Sequence, residues 1–145
     1  MYYLVYSSVA SVGLSEDDLR DILQSSQLRN ADLNLSGMLL YCNGKFLQVL
    51  EGKKEDVHSL FYKISRDTRH RDLNVLLEGT IGARNFKNWS MGFKSLDVAS
   101  AREISGFEDI DQFFTLNKAT NNSHPALIFL SLFYQKNHSD HLLYL

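Results

Sequence analysis

The sequence predicts an α+β fold: a ferredoxin-like sheet of order β-α-β-β-α-β-β, with two helices on one face and a C-terminal helical cap on the other. Three observations carry this. Short apolar runs alternate with two stretches of helical spacing. The dipeptide Asn43-Gly44 joins two of the runs as a tight hairpin, because both residues tolerate positive φ. Leu39 with Leu40, Val49 with Leu50, and Leu76 with Leu77 make several strands apolar on both faces, so the second face of the sheet needs cover.

"YYLVYSS" is the first strand, with Tyr2, Leu4 and Tyr6 on one face and Tyr3, Val5 and Ser7 on the other. Ser15 then caps a helix, with Asp18 three residues on and acids filling the first turn. Leu19, Ile22 and Leu23 form its apolar stripe, and it frays near Asn30. "LSGMLLY" and "KFLQVLEG" are the hairpin strands. Val57, Leu60, Phe61 and Ile64 have the spacing of one buried helix face. "LNVLLEGTIG" is a fourth strand and "WSMGF" a short fifth.

The sheet unit covers residues 1–96, and residues 97–145 are a helical extension. In the extension, Ser100 and Glu103 have capping-box spacing. Pro125 opens "HPALIFLSLFYQKN", a helix apolar nearly all round. Such a helix is buried within its own chain or in a contact between subunits.

Composition narrows the function. The chain has 145 residues, 44% hydrophobic and 22% charged, which suits a folded core. A net charge of −2 gives no electrostatic case for nucleic acid or an acidic membrane. The lone Cys42 excludes an internal disulfide and a cysteine-based zinc site. No basic leader opens the chain, and "PALIFLSLFY" is too short to span a bilayer, so a cytoplasmic location is expected.

Gln48 stands out inside the apolar run "GKFLQVLEG". A buried amide without partners costs ~1–3 kcal/mol, so Gln48 requires one. Each polar residue here has an ordinary structural reading. Gln48 can be satisfied by backbone, Tyr6 can sit at a sheet edge, and Asp67 with Arg69 can be a turn pair. His70 reads as a hydrogen-bonded structural histidine, and Trp89 with Met91 as strand packing. Their joint placement says more. Phe46, Gln48 and Leu50 share a strand face, and Tyr6 lies on a strand that can neighbour it. The helices add Asn30 at one end, and Lys63 and Asp67 at the other. A slot floored by a tyrosine and a glutamine suits a flat polar ring. It does not suit a metal, having no cluster of histidines and carboxylates at ligand spacing.

The stretches "LVYSS", "RNADLNLSGMLLY", "FLQVLEG", "RDTRH" and "NFKNWSM" occur in an order and spacing that resembles the BLUF domain, the blue-light sensor that uses FAD. The resemblance covers about residues 1–95, and the C-terminal part resembles, more loosely, the capping helices of short PixD-like members. It implies FAD as cofactor, with FMN a possible substitute. It implies Tyr6 as electron and proton donor to the excited flavin, and Gln48 as the link between that tyrosine and the ring. Asn30 matches the asparagine at the pyrimidine side. Ile22 and Ile64 match the residues that sandwich the ring. Lys63 and Asp67 match positions near the ribityl chain and phosphate. Arg29, Phe46, Arg69 and His70 complete the cofactor contacts expected from it. Trp89 and Met91 match the fifth-strand pair linked to signalling.

Three residues depart from the common family pattern. Arg29 stands where some relatives have asparagine, Ser36 replaces a common threonine, and Asn34 a common glycine. The first two bear on dinucleotide or phosphate contacts.

The implied function is a non-enzymatic photosensor acting on a downstream signalling protein, with homo-oligomerisation expected from the apolar helix. The alternatives are a flavin-dependent oxidoreductase and a cofactor-free interaction module. Five scattered histidines give no triad for the first, and intact Tyr6, Gln48 and Asn30 argue against the second.

Overall fold

A computed structural model describes residues 1–86, the backbone of 92–95, and residues 124–133. Up to residue 95, the described residues form five strands and two helices in the order β1 (Tyr2–Ala10), α1 (Glu16–Asp32), β2 (Ser36–Cys42), β3 (Lys45–Gly52), α2 (Lys54–Ser65), β4 (His70–Thr80) and β5 (Gly92–Ser95). They build one sheet in the order β4-β1-β3-β2-β5. β1, β2, β3 and β4 pair antiparallel, and β5 adds to the free edge of β2 in parallel. This is the expected ferredoxin-like arrangement, with the fifth strand extending it.

Local chemistry sets the boundaries. The Ser15 side chain accepts from the Asp18 backbone N–H at 3.1 Å, and the Asp18 carboxylate accepts from the Ser15 N–H at 2.9 Å. That reciprocal capping box starts α1. Asn43 and Gly44 both take positive φ, +50° and +75°, so the β2–β3 turn is the tight hairpin that the dipeptide predicts.

β2 and β3 are buried on both faces: Leu39, Leu40, Val49 and Leu50 all belong to the core. The cover differs on the two sides. α2 packs against β1 and β3 on one side. On the other, His124 meets the ring of Tyr3 edge-on at 4.7 Å, at the start of a helix over 125–133. Ala126, Leu127 and Leu130 of that helix are buried, whereas Ile128, Phe129 and Leu132 are exposed. The helix is therefore covered on one side, not all round.

One expectation needs correction. Leu76 was expected to be covered, yet it is 38% exposed. β4 is an edge strand, and Leu76 falls at a register shift against β1, between the pairs Val5–Leu77 and Tyr6–Val75, where it has no partner on the neighbouring strand. Of the fifth strand expected over "WSMGF", the described part is Gly92 and Phe93, which belong to a strand that continues to Ser95. Trp89, Met91 and the helix expected from Ser100 lie outside the described residues.

β4 and β5 occupy opposite edges of the sheet. The connection between them must therefore cross the sheet, about 19 Å at the usual strand spacing.

Candidate flavin-binding cleft

The floor of the site follows from strand register. Tyr6 of β1 lies directly opposite Gln48 of β3, and Gln48 opposite Leu39 of β2. Register partners project to the same face, so these three side chains form a row. The Tyr6 hydroxyl donates to Gln48 Oε1 in a buried hydrogen bond. The partner that Gln48 requires is thus, in part, the Tyr6 phenol. Both residues are 3% exposed. Burial pushes the Tyr6 phenol well above the ordinary tyrosine range; nearby Arg29 opposes this and Asp67 adds to it.

The walls come from the helices. α1 contributes Ile22, Ser25, Ser26 and Arg29, spaced to share one helical face. α2, the turn after it and the first residue of β4 contribute Lys63, Ile64, Asp67, Arg69 and His70. With Phe46 from β3 they enclose a cavity of about 90 Å³, several times what one water needs.

Its polar groups are ordered. Asp67 and Arg69 form a bidentate pair, Nε to Oδ1 at 3.0 Å and Nη2 to Oδ2 at 2.5 Å. The Arg69 bonds hold the Asp67 carboxyl below the usual carboxylate range. His70 bridges two elements, Nδ1 to Ser8 Oγ at 2.9 Å and Nε2 to the Ile64 carbonyl at 2.6 Å. A carbonyl can only accept, so Nε2 carries a proton there. Desolvation lowers the Arg29 pKa, and its Nε is buried without a hydrogen-bond partner among the described residues.

All of the cofactor contacts expected from the sequence line this one cleft, except Asn30. Asn30 is fully buried in the last turn of α1, where its carbonyl accepts from the Leu35 N–H at 2.8 Å. Ser25, Ser26 and Leu39 are lining residues that the sequence reading missed. The helical spacing from Ile22 to Arg29 points to the serines, and the hairpin register from Gln48 points to Leu39. The described residues hold no group of three or more histidines, cysteines or carboxylates able to bind a metal.

A family model described as "BLUF: Sensors of blue-light using FAD" matches residues 1–92. The chain belongs to the BLUF family. Among curated proteins, this BLUF chain is 44% identical over 89 residues to photoactivated adenylate cyclase subunit beta of Euglena longa, covering 61% of the chain and 10% of the relative. Photoactivated adenylate cyclase subunit alpha-like protein FB of Euglena gracilis is 38% identical over 131 residues, 89% of the chain and 12% of the relative. The chain thus spans about a tenth of the length of these relatives.

Solved structures agree. BlrB, a BLUF protein in its dark state, superposes with a TM-score of 0.66 at 26% identity, covering 95% of this chain and 96% of BlrB. BlrP1 of Klebsiella pneumoniae with FMN and cyclic diGMP gives 0.73 at 27% identity, covering 92% of this chain and 34% of BlrP1. No helix among the described residues is long and apolar enough to cross a membrane.

Proposed function

We propose that this chain is a blue-light photoreceptor that binds FAD between α1 and α2 and signals to a protein partner. The observation that carries the reading is the buried Tyr6–Gln48 hydrogen bond at the floor of a cleft lined by Ile22 and Ile64 and by the cations Arg29, Lys63 and Arg69. The residues fit the cofactor. Ile22 and Ile64 offer aliphatic surface to the ring faces, and the buried Arg29 Nε offers a donor that a ring carbonyl would satisfy. Lys63 and Arg69 suit the phosphates, with Asp67 fixing Arg69. Phe46, His70 and Asn30 support the floor and the ends. FMN is a substitute for the same ring site.

A bound flavin supplies the visible absorption and, once excited by blue light, an oxidising power strong enough to take an electron from a phenol. Burial holds Tyr6 neutral, so both an electron and a proton can leave its hydroxyl. Gln48 accepts that proton's hydrogen bond at Oε1 and carries donors on its other amide arm. It would relay the proton, and would have rotated or tautomerised by the time both the electron and the proton have returned to Tyr6. The changed amide donors redden the absorption. Cys42 takes no part, since the switch is a hydrogen-bond rearrangement without a covalent adduct.

The altered network biases the region of β5, where Trp89 and Met91 act, together with the extension over 97–145. Output passes to a cytoplasmic signalling protein from a homo-oligomer, with no enzymatic step in this chain.

The test is one absorbance spectrum of purified, FAD-loaded protein before and after blue light. A red shift that reverses in darkness is expected. Gln48→Ala should keep the flavin and lose the shift; a normal photocycle in that variant overturns the role given to Gln48. Failure to take up any flavin overturns the whole reading. Flavin reduction by NAD(P)H would favour an oxidoreductase instead.

A further inference from the structure

Glu51 is a fully buried carboxylate that the photochemistry does not use. It lies three residues from Gln48 on β3, so it projects to the opposite face of the sheet. A buried carboxylate is tolerated only when its oxygens are saturated with donors. Two of those donors come from the segment that leaves β4 towards β5, and a third from β2. Oε2 accepts the Asn85 backbone N–H at 2.8 Å, and Oε1 accepts the Phe86 N–H at 2.9 Å. Ser36 Oγ donates to Oε1 at 3.1 Å. Arg84 locks the same point: its Nη1 donates to Ser36 Oγ at 2.7 Å and to the Glu51 carbonyl at 3.3 Å. Its Nη2 donates to the Asn34 carbonyl.

The register makes the placement systematic. Tyr3 pairs with Glu51 just as Tyr6 pairs with Gln48, on the same two strands. The first pair faces away from the cleft, and the second floors it. Tyr3 carries His124, which starts the helix over 125–133. The central strands thus hold the proposed flavin site on one face. On the other they hold the entry to β5 and the start of a C-terminal helix.

We propose that Glu51 is the positioning residue through which the Tyr6–Gln48 pair controls the segment leading into β5. This rests on the photosensor reading above. Gln48 and Glu51 share a rigid strand about 10 Å apart. A displacement of β3 at Gln48 carries the Glu51 carboxylate with it. Two directional bonds to consecutive amides then either follow or break. Apolar packing of Phe86 alone would tolerate such a slide, which is why a charged clamp matters here.

The experiment follows amide hydrogen exchange across residues 84–95 in the FAD-loaded full chain, dark and illuminated, alongside the absorbance shift. In the unmodified protein, Asn85 and Phe86 should exchange slowly in darkness and faster in light. Glu51→Gln replaces one acceptor with a donor. It should keep the absorbance shift but exchange fast at both amides in either state. A retained light–dark difference in Glu51→Gln overturns the proposal. So does equal exchange in light and dark in the unmodified protein, a result that needs no variant. Ser36→Ala leaves the carboxylate in place and should shrink the difference; an undiminished difference there counts against the clamp. Absence of any absorbance response in the unmodified protein overturns the photosensor reading itself, whereas a normal response without the exchange difference overturns this proposal alone.

Discussion

The Tyr6 phenol donates its hydrogen bond to the Gln48 carboxamide oxygen, across a register pair of the two central strands. Both groups are buried, so each is costly without the other. A double-mutant cycle of Tyr6→Phe and Gln48→Leu in the flavin-free protein should give a coupling of about 1 kcal/mol in urea unfolding. Strictly additive losses would mean that the two side chains do not support each other.

Tyr6 also makes stability fall in alkali. Its folded-state pKa is raised above the ordinary value of 10.0, chiefly by burial. The unfolded chain therefore releases this proton first, and the contribution, complete below that value, is lost as pH rises beyond it. Tyr6→Phe should flatten the fall in unfolding free energy above about pH 10. An identical slope in the variant would contradict the burial of a neutral phenol.

The Asp67–Arg69 pair acts at the other end of the scale. The Asp67 pKa is lowered, first by its hydrogen bond to the Arg69 side chain. The stabilisation is thus present above the unfolded value of about 3.9 and is lost as pH falls through the folded one. Both side chains are partly exposed, so Asp67→Asn should cost no more than about 1 kcal/mol near neutrality. Acid unfolding curves should converge for the two proteins below both pKa values. A gap that persists there would place the effect elsewhere.

At the hairpin, Gly44 has a φ of +75° with open space around it. Gly44→Ala should cost about 1 kcal/mol through backbone strain alone, measured by urea unfolding. An unchanged midpoint would show that the turn relaxes.

The cleft wall offers a steric test. Ile22 is half-buried and lines the cavity from α1. Ile22→Trp should fill it, leaving the protein folded and unable to take up flavin. Flavin uptake read by absorbance, with circular dichroism as the folding control, decides this. Full uptake would put the ring somewhere other than between α1 and α2.

Much of this was legible in the chain. Ser15 with Asp18 announced α1 because capping is a local contact. Asn43-Gly44 announced the hairpin, and with it the register that puts Leu39 beside Gln48. The Tyr6–Gln48 floor was legible from the strand period, whereas most of the wall residues were expected only from the resemblance to the BLUF family. What escaped depended on distant neighbours. Leu76 looks like a core leucine until β4 is known to be an edge. Glu51 reads as the end of a strand, and nothing beside it in sequence supplies its donors, which come from Ser36, Asn85 and Phe86. Asn30 sits in the last turn of α1 as foreseen, yet its place in the interior rather than on the cleft wall depends on how α1 meets the sheet.

The offset between the Tyr6–Gln48 row and the Tyr3–Glu51 row has a consequence for engineering. The proposed flavin floor and the His124 contact hang on the same pair of ribbons but face opposite layers. A library randomised around Tyr3 should therefore yield proteins that stay yellow yet fall silent. A foreign effector grafted on that side should leave the colour intact.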